Sequence, residues 1–403
     1  MDDLEPILQP TVADTRLIKG FASSLANSLD RQMRNAYRPE GRKKLRQFSS
    51  KELMELTGIS ASNLRLRHNE DPEFPKAEAD ARGHRSYSAE TMDAIRRHMA
   101  KTAKNGDAYR PGRRKATDDM KVICAVNFKG GSSKTTSTIH LAQRFALRGY
   151  RVLAIDMDPQ ASLTTLFGYR PELEFSSGGT IYDALRYDSE QVPLKEVILK
   201  TYFHNLDLAP AGLMLSEYET TTAYALTQKI RPLFAERLVR QLFDERDNYD
   251  IVFIDCPPNL GFLTLTALAA ATGLIVTVVP SMLDIASMSQ FLRQTGELFE
   301  TIEGHVGRPV KWDFIKFLLT RYEPSDGPQT QMAAYLRSIL PGHVLTEPML
   351  KSTAISDAGI TQQTIYEVEP GDFVRKTLER AISSCNAVAD EVEQLVQATW
   401  GRT

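Results

Sequence analysis

A loop at residues 128–136 combines two lysines with two glycines, a composition suited to binding phosphate. Gly130 and Gly131 allow the backbone to come close to an anion, and Lys129 and Lys134 supply positive charge. A stretch with helical periodicity follows, so the N-terminus of a helix would face the same anion. The residues therefore predict a site for nucleotide phosphates. The alternative is a solvated turn rich in glycine and serine.

Three aspartates further along the chain could complete such a site. Asp156 and Asp158 follow an apolar stretch at 152–155, and Asp255 closes another at 249–254. The carboxyl ends of parallel strands form the edge at which open α/β sheets bind ligands. Carboxylates at this edge could hold Mg²⁺ or orient a water molecule for attack on a phosphate. Asp158 could also be a simple helix N-cap, and the two roles are compatible.

The elements that position these residues follow from the hydrophobic pattern. Lys121 to Val126 is apolar and β-branched enough for a buried strand, and Thr135 to Arg148 has apolar residues at helical spacing, with Gly149 placed to end the helix. Later apolar stretches predict further strands at 206–209, 274–279 and 314–319. The order of strand, loop, helix and strand predicts a βαβ unit in an α/β fold with a doubly wound, mostly parallel sheet.

The loop does not fit the ordinary pattern G-x-x-x-x-G-K-[ST], because Phe128 and Ser133 occupy its glycine positions. It resembles instead the deviant Walker A loop, K-G-G-x-x-K-[ST], of the ParA and MinD class of ATPases. The resemblance implies that Lys134 neutralises the β- and γ-phosphates, that Thr135 ligates Mg²⁺ and that Lys129 reaches the nucleotide of a partner subunit. Ser133 stands where most of the class has glycine, and non-glycine residues resist a positive φ.

The same resemblance extends to the acids and to later strand ends. The sequence D-M-D-P-Q at 156–160 resembles an element of partition ATPases, and D-C-P-P at 255–258 is close to the family's D-x-P-P. By that match Asp158 orients the attacking water, Asp156 lies near the metal and Asp255 holds Mg²⁺ through water. The residues implied to bind ATP or ADP are Lys129, Gly130, Gly131, Ser132, Ser133, Lys134, Thr135 and Thr136 and, less directly, Pro280, Asp284 and Arg321.

Composition argues against several classes of protein. The chain has 403 residues, enough for two or three domains, and its three cysteines are far apart with no metal-ligand spacing. The first ten residues, MDDLEPILQP, lack the basic and apolar regions of a signal peptide, and no apolar stretch is long enough to span a bilayer. We therefore expect a cytoplasmic protein with reduced thiols and no membrane partner.

Charge is distributed unevenly, although the net charge is only −2. Residues 16–116 carry 23 lysines and arginines against 12 acidic residues, whereas the rest of the chain carries 26 against 39. A basic front part joined to an acidic ATPase indicates nucleic acid as the partner of the front part. Residues 105–119 are polar and contain glycine and proline, which predicts a linker there.

The front part contains a pattern typical of a helix-turn-helix. Ser49 and Ser60 could cap two helices separated by a turn that carries Gly58. The segment 82–88, followed by a helix from Ala89 to Met99, resembles the wing and next helix of MerR-like DNA-binding domains. The alternative is a small helical domain that binds protein. The residues implied to face the major groove or approach the DNA backbone are Ser62, Asn63, Arg65 and Arg67, and Arg85 and Tyr87, respectively.

Two more segments indicate intermolecular contacts. Asp14 to Tyr37 has a helical apolar stripe that could pair with another copy or pack on its own domain. The final helix, predicted from Gly371 to about Trp400, is too acidic in its later half for MinD-style membrane anchoring. Ile355 to Ala358 resembles the family's L-S-E-A segment, near which ParA proteins bind DNA non-specifically. The residues that this resemblance predicts to bind DNA are Lys351, Arg375, Lys376 and Arg380. The alternative is that they are only solvated residues near a helix start.

The resemblance covers about the whole chain and is closest to the RepA partition proteins of repABC plasmids. We therefore expect an N-terminal helix within residues 1–46, a candidate for dimerisation, then a small, mainly helical, winged helix-turn-helix domain at 47–104, the linker at 105–119 and a deviant P-loop ATPase at 120–403. The implied function is plasmid partition by a Mg²⁺-dependent, nucleoid-associated ATPase. It would dimerise with ATP, bind DNA non-specifically, respond to a ParB-like centromere-binding protein and repress its own operon. The rivals are a nucleotide-sensing repressor without a transport role and a MinD-like positioning ATPase at membranes.

Overall fold

The computed structural model describes residues 15–36, 43–79, 84–228, 234–306 and 309–402. The chain divides into two compact units, Met1–Lys43 and Lys44–Thr403. In the first unit the described residues form helix α1 (Thr15–Ala36), which confirms the helix predicted from the apolar stripe. Apolar side chains on α1 that are exposed to solvent are Leu17, Ile18, Phe21 and Leu25.

The second unit begins with a small antiparallel sheet and three helices. These elements are β1 (Phe48–Ser49), α2 (Ser50–Thr57), α3 (Ala61–Glu70), β2 (Glu78–Ala79), β3 (Arg85–Tyr87) and α4 (Ala89–Thr102). Strand β3 lies between β1 and β2 and pairs with both in antiparallel orientation. Arg82 and Gly83 of the predicted wing lie outside the described residues.

Local hydrogen bonds explain the two helices and the turn between them. Ser49 and Glu52 form a capping box at the start of α2, and the Ser60 hydroxyl accepts from the N–H of Asn63 at the start of α3. Gly58 ends α2 with a φ of 74°, a conformation that glycine adopts without strain. The predicted helix, turn and helix are therefore present.

The rest of the second unit is an α/β arrangement. Its strands are β4 (Lys121–Val126), β5 (Val152–Asp156), β6 (Leu199–Lys200), β7 (Leu206–Ala209), β8 (Ile251–Asp255), β9 (Gly273–Val278) and β10 (Phe314–Leu319). Its helices are α5 (Lys134–Arg148), α6 (Ser162–Leu166), α7 (Pro171–Glu174), α8 (Ile181–Leu185), α9 (Glu217–Thr227), α10 (Phe234–Glu245), α11 (Phe262–Ala270), α12 (Met282–Val306), α13 (Gly327–Ile339), α14 (Thr353–Ile360) and α15 (Arg375–Thr399).

Strands β4 to β10 form one sheet in the order β10-β9-β4-β8-β5-β7-β6. All neighbouring strands are parallel except β6, which runs antiparallel to β7 at the edge. Alternate residues of each central strand face two different apolar cores, one on each side of the sheet. Both faces are covered, which explains the continuous apolar runs in the sequence and confirms the predicted mostly parallel sheet.

The N-terminal part of this unit is joined to α5 by a shared apolar core. Arg96 of α4 is buried, and its guanidinium donates to the carbonyl of Leu147 in the last turn of α5 and to that of Leu56 in α2, 3.2 Å away. Asp93 of α4 lies 3.2 Å from the imidazole of His204, just before β7. The small sheet and its helices are thus packed against the α/β part.

The segment predicted as a linker is fastened along its length. The N–H of Arg113 donates to the carboxylate of Asp250 at the start of β8, 3.3 Å away. The indole of Trp400, next to the C-terminal end of α15, donates to the carbonyl of Asp119 over 2.8 Å. These bonds fix the later half of the predicted linker, from Arg113 to Asp119, to the amino-terminal edge of the sheet and to the last helix.

The largest difference from a predicted helix start is in the final helix. The final helix begins at Arg375 and not at Gly371, because Phe373 and Val374 have extended backbones, with ψ of 155° and 109°. A short 3-10 turn at Pro370–Asp372 precedes them. Among the helices in the described part of the chain, none has both the length and the apolar composition needed to cross a membrane.

Candidate nucleotide site

The phosphate loop joins the end of β4 to the start of α5. Gly131 and Ser133 both have positive φ, 78° and 66°, so the loop turns sharply just before Lys134. In the described structure the side chain of Ser133 makes no capping hydrogen bond to α5. The N–H groups of the first helical turn therefore remain available for an anion.

A cavity of about 560 Å³ lies beside this loop. The Nζ of Lys134 is 3.3 Å from the carbonyl of Lys129, which it donates to, and the residue is largely buried. Burial lowers the pKa of Lys134, while the carboxylates of Asp255 and Asp158 act in the opposite direction. Residues that line the cavity are Gly130, Gly131, Ser132, Ser133, Lys134, Thr135, Thr136, Asp158, Gln160, Ser162, Thr165, Leu166 and Pro258.

The predicted Asp158 faces the cavity, whereas Asp156 is fully buried beneath it. Asp156 accepts hydrogen bonds from the N–H and hydroxyl of Thr164, both at 2.8 Å, and from the N–H of Asp158 at 3.1 Å. Burial raises the pKa of Asp156 to about 7. Its oxygens are already engaged, so its geometry fits a role in holding Thr164 and Asp158 in place. Ala161 is the N-cap of α6, so the alternative that Asp158 is a helix N-cap is wrong.

Asp255 is next to Asp156 in the sheet but has different surroundings. The two residues are register partners on β8 and β5, and both are completely buried. Within the described structure neither carboxylate oxygen of Asp255 has a hydrogen-bond partner. Burial and the charge of Asp156 raise its pKa well above the usual range, while the Thr135 hydroxyl and Lys134 lower it. A buried carboxyl group in this state is stabilised either by a proton or by a bound cation, and the second fits the metal role predicted for Asp255 and Thr135.

The first lysine of the loop has a partner within its own chain. The Nζ of Lys129 lies 2.8 Å from the Oδ2 of Asp284, whose side chain is buried at the start of α12. Asp284 also accepts from the hydroxyl of Ser281. Asp284 is therefore placed against Lys129 and not among the residues that line the cavity. Pro280 is buried and Arg321, with a φ of 50°, is exposed, and neither lines the cavity.

Two threonines that were not predicted from the sequence donate hydrogen bonds to the phosphate loop. The hydroxyl of Thr277 on β9 donates to the Oγ of Ser132 at 3.1 Å, and that of Thr320, just after β10, donates to the carbonyl of Ser132 at 3.0 Å. Asn127 accepts from the N–H of Lys129 at 3.1 Å. A threonine at the end of an otherwise apolar strand could have indicated such a contact in the sequence, since a buried hydroxyl needs a hydrogen-bond partner.

Comparison with known proteins decides the family. A family model described as an AAA domain matches residues 120–306. The chromosome partitioning protein ParA of Myxococcus xanthus is 34% identical over 189 residues, 45% of this chain and 60% of that protein. A protein of Rhizobium rhizogenes named replication protein A is 46% identical over 390 residues, 96% of each chain. The chain belongs to the ParA family of partition ATPases.

Solved structures share the fold of this ParA-family chain. A partition protein superposes with a TM-score of 0.63 at 18% identity, covering 95% of this chain and 99% of that one. The cobyrinic acid a,c-diamide synthase of Mycobacterium smegmatis superposes with a TM-score of 0.54 at 24% identity, covering 70% and 97%. The latter crystal structure contains ADP and magnesium.

The side chains predicted to contact operator DNA in this ParA-family chain are placed unequally. Ser62, Arg65 and Arg85 are exposed, and Asn63 is half-buried at the start of α3. Arg67 is half-buried and its guanidinium lies 3.0 Å from Asp71, an ion pair that would have to open before it reached DNA. The prediction for Tyr87 is wrong. Its ring is buried, because it packs in the core of the small domain, and its hydroxyl lies 3.0 Å from the Nε2 of His68.

The cations nominated for non-specific DNA binding lie on the surface near α14 and α15. The Nζ of Lys351 is 3.0 Å from Glu323, and the Nε of Arg375 is 2.8 Å from Glu379 in the next turn. Lys376 and Arg380 are exposed on the first turns of α15. Two of the four cations therefore have acidic neighbours, and their role in DNA binding stays a prediction.

Proposed function

We propose that this protein is a plasmid partition ATPase that binds ATP with Mg²⁺ beside the phosphate loop and hydrolyses it to ADP and phosphate. The observation that carries the proposal is a positively charged loop across from a buried carboxylate. Lys134 and the N-terminus of α5 attract an anion, while the buried carboxylate of Asp255, whose oxygens lack a hydrogen-bond partner among the described residues, would be stabilised in its charged form by a cation. A nucleotide that carries Mg²⁺ supplies both charges.

The residues around the cavity suit phosphoryl transfer to water. Lys134 would neutralise the β- and γ-phosphates, and Thr135 and Asp255 would hold Mg²⁺, which offsets the negative charge on the same phosphates when it is bound. Asp158 faces the cavity with its Oδ1 fixed by the N–H of Gln160 at 2.9 Å. It would orient the attacking water, and this is sufficient because such transfer depends on positioning more than on a strong base.

We further propose that ATP drives dimerisation of the ATPase part. Lys129 would leave Asp284 and contact the phosphates of the partner subunit's nucleotide. The Lys129 side chain is 41% exposed and can move, whereas Asp284 is 7% exposed and would keep its hydrogen bond from the Ser281 hydroxyl. The exposed apolar stripe of α1 supports a second contact between copies, since contiguous exposed apolar surface marks interaction sites.

The proposed DNA partners are of two kinds. The small winged domain, with Arg65 and Arg85 exposed, would bind operator DNA and repress the operon. The cations near α14 and α15 would bind nucleoid DNA without sequence preference once ATP brings two copies together. A ParB-like centromere-binding protein would stimulate hydrolysis, and the protein would act in the cytoplasm on the nucleoid.

The second candidate is a nucleotide-sensing repressor without a transport role. The packing of the small domain on α5 favours it, because the helix that starts at the phosphate loop ends at Arg96 of that domain. Nucleotide binding could therefore act on operator binding with no need for movement of plasmids. Non-specific DNA binding that depends on ATP separates the two candidates, since a pure repressor has no use for it.

The test compares the wild-type protein with Asp158→Ala and Lys129→Ala. Wild type should hydrolyse ATP with Mg²⁺, DNA and a ParB-like protein, and should sediment as a dimer with a slowly hydrolysed ATP analogue. Asp158→Ala should dimerise and not hydrolyse, whereas Lys129→Ala should bind nucleotide and stay monomeric. No hydrolysis by wild type, together with an operator footprint that responds to nucleotide, would favour the repressor.

A further inference from the structure

The loop that follows Asp255 forms one wall of the nucleotide cavity. It runs from Cys256 to Gly261 and leads from β8 into α11, and Pro258 lines the cavity. The Thr264 hydroxyl donates to the carbonyl of Asn259 over 2.6 Å, which closes the loop from inside. The position of this wall therefore depends on how the start of α11 is held.

A glutamate from another helix holds the start of α11. In the described structure Gly261, the N-cap residue, has no side chain with which to cap the helix. Glu219 of α9 replaces that cap, because its Oε2 accepts from the N–H of Phe262 at 2.7 Å and its Oε1 from the N–H of Leu263 at 3.1 Å. Both carboxylate oxygens are used, and the negative charge lies at the positive end of the α11 dipole.

The residue type at position 261 follows from this contact. Gly261 has φ −94° and ψ −175°, an extended conformation open to any residue. Space distinguishes glycine here, since a Cβ at this position would lie 2.3 Å from the Oε1 of Glu219 and would displace that carboxylate. Glu219 and Gly261 are therefore matched: the missing side chain at one position allows the carboxylate at the other to reach the backbone.

We propose that Glu219 is a positioning residue for the nucleotide site. It anchors the end of the loop that is distant from Asp255 and thereby sets where Pro258 stands against bound nucleotide. The proposal rests on the nucleotide binding and hydrolysis argued above. It adds a residue that lines no part of the nucleotide cavity and that lies 36 positions before Asp255 in the sequence.

Steady-state ATP hydrolysis and titration with a fluorescent ADP analogue test the proposal on the full chain. Glu219→Ala should raise the KM for ATP and weaken binding of the analogue about fivefold, the size expected from the loss of one helix cap, with kcat almost unchanged. Glu219→Gln, which keeps one acceptor oxygen, should lie between. A merely structural role would lower the amount of folded enzyme, which reduces kcat and leaves KM unchanged.

Glu217→Ala is the matched control. Glu217 lies on the same helix, is exposed, and accepts from the Tyr182 hydroxyl at 3.3 Å, away from the loop. The control should leave KM unchanged. If Glu219→Ala behaves like Glu217→Ala in a wild type that binds nucleotide, the inference is wrong while the proposed function stands. If wild type binds no nucleotide, both are wrong.

A double-mutant comparison gives an independent result. Gly261→Ala should raise KM by itself, because the new methyl group displaces the carboxylate of Glu219. In the Glu219→Ala background the same change should have little further effect, since the three atoms nearest to the new methyl group all belong to the side chain that this substitution removes. Additive effects of the two substitutions on KM would show that Gly261 and Glu219 act independently, and would contradict the proposed link between the two residues.

Discussion

Helix α5 presents its N-terminus to the nucleotide cavity and its C-terminus to the small N-terminal domain, and the two ends are built differently. At the N-terminus the described side chains leave the first backbone N–H groups uncapped. At the C-terminus Gly149 adopts a φ of 98°, its N–H donates to the carbonyl of Ala146, and Arg96 donates to that of Leu147. Backbone groups at the C-terminus of α5 are thus hydrogen-bonded within the protein, whereas those at the N-terminus remain available for a ligand.

Lys134→Ala tests the N-terminus of α5, the open end, whose first backbone N–H groups are uncapped, and should have the largest effect. Removing the ammonium leaves the loop with helix dipole and N–H groups only, so affinity for ATP should fall at least about 100-fold, the value of one or two charge-assisted hydrogen bonds. Titration with a fluorescent ATP analogue measures it. Lys129→Ala is the comparison, because Lys129 pairs with Asp284 and should affect nucleotide binding by the monomer only slightly. Equal losses in both variants would contradict the different roles given to the two lysines.

Arg96→Met tests the C-terminus of α5, the closed end, where backbone groups are hydrogen-bonded within the protein. The guanidinium is buried, and burial lowers its pKa to about 10, so the residue is charged at neutral pH and held by carbonyl groups. Methionine fills a similar volume but leaves the carbonyls of Leu147 and Leu56 without this donor, which should reduce the free energy of unfolding by about 3 kcal/mol. Denaturation with urea measures the change.

Arg97→Met is the control for that variant. Arg97 is the next residue on α4, is mostly exposed, and forms an i,i+4 pair with Asp93 at 3.4 Å. Its loss should cost at most about 0.5 kcal/mol. If Arg96→Met is no more destabilising than Arg97→Met, the guanidinium is not what fastens the C-terminus of α5.

The open end was predictable from the sequence and the closed end was not. Lys129, the two glycines, Lys134 and Thr135 lie within seven residues, and the chemistry of phosphate binding fixes their types. Arg96 meets Leu147 across 51 residues, with no short-range pattern to announce the contact. The same limit hid Glu219, whose partners lie 43 and 44 residues away.

Neighbours in sequence do not show which side chains are buried or which of them pair with each other. Tyr87 lies within the predicted wing, but its ring is buried in the core of the small domain, whereas Arg85, two residues earlier on β3, is exposed. Asp284 follows a strand end, and its carboxylate pairs with Lys129 of the phosphate loop, so its contact with a nucleotide stays a prediction. Strand ends predict which residues gather at the edge of the sheet, but not which of them pair with each other.

Between the two ends of α5, His140 should make stability depend on pH. Its ring is fully buried, and Nδ1 donates to the carbonyl of Thr136 over 2.7 Å. Burial lowers the pKa of His140, so the folded protein resists a proton that the unfolded chain accepts. Stability from this group is therefore complete above pH 6.5, the ordinary value, and is lost as pH falls through the folded-state pKa. The loss cannot exceed about 1.4 kcal/mol per pH unit for one proton.

Urea denaturation at a series of pH values between 7.5 and 5 checks this expectation. His140→Leu should flatten the decline on the acid side, although its stability at pH 7.5 is lower because the bond to Thr136 is lost. Burial also lowers the pKa of His68, so part of the slope should remain in the variant. An unchanged slope in His140→Leu would show that His140 is not a source of the acid sensitivity.

Ser133→Gly should give the smallest effect, and it returns to the open end of α5. Ser133 has φ 66° and ψ 28°, the left-handed region that costs a non-glycine residue about 1 to 2 kcal/mol. Glycine removes that strain but loses more backbone entropy on folding, so the net gain in the free energy of unfolding should be about 0.5 kcal/mol. Thermal unfolding without nucleotide measures it. Gln362→Gly, at φ 55° outside the cavity, should gain a similar amount and leave nucleotide affinity unchanged. If Ser133→Gly destabilises the protein while Gln362→Gly stabilises it, the serine side chain stabilises the loop by more than the strain at Ser133 costs. The N-terminus of α5 would then be stabilised in part by Ser133 itself, even without a bound ligand.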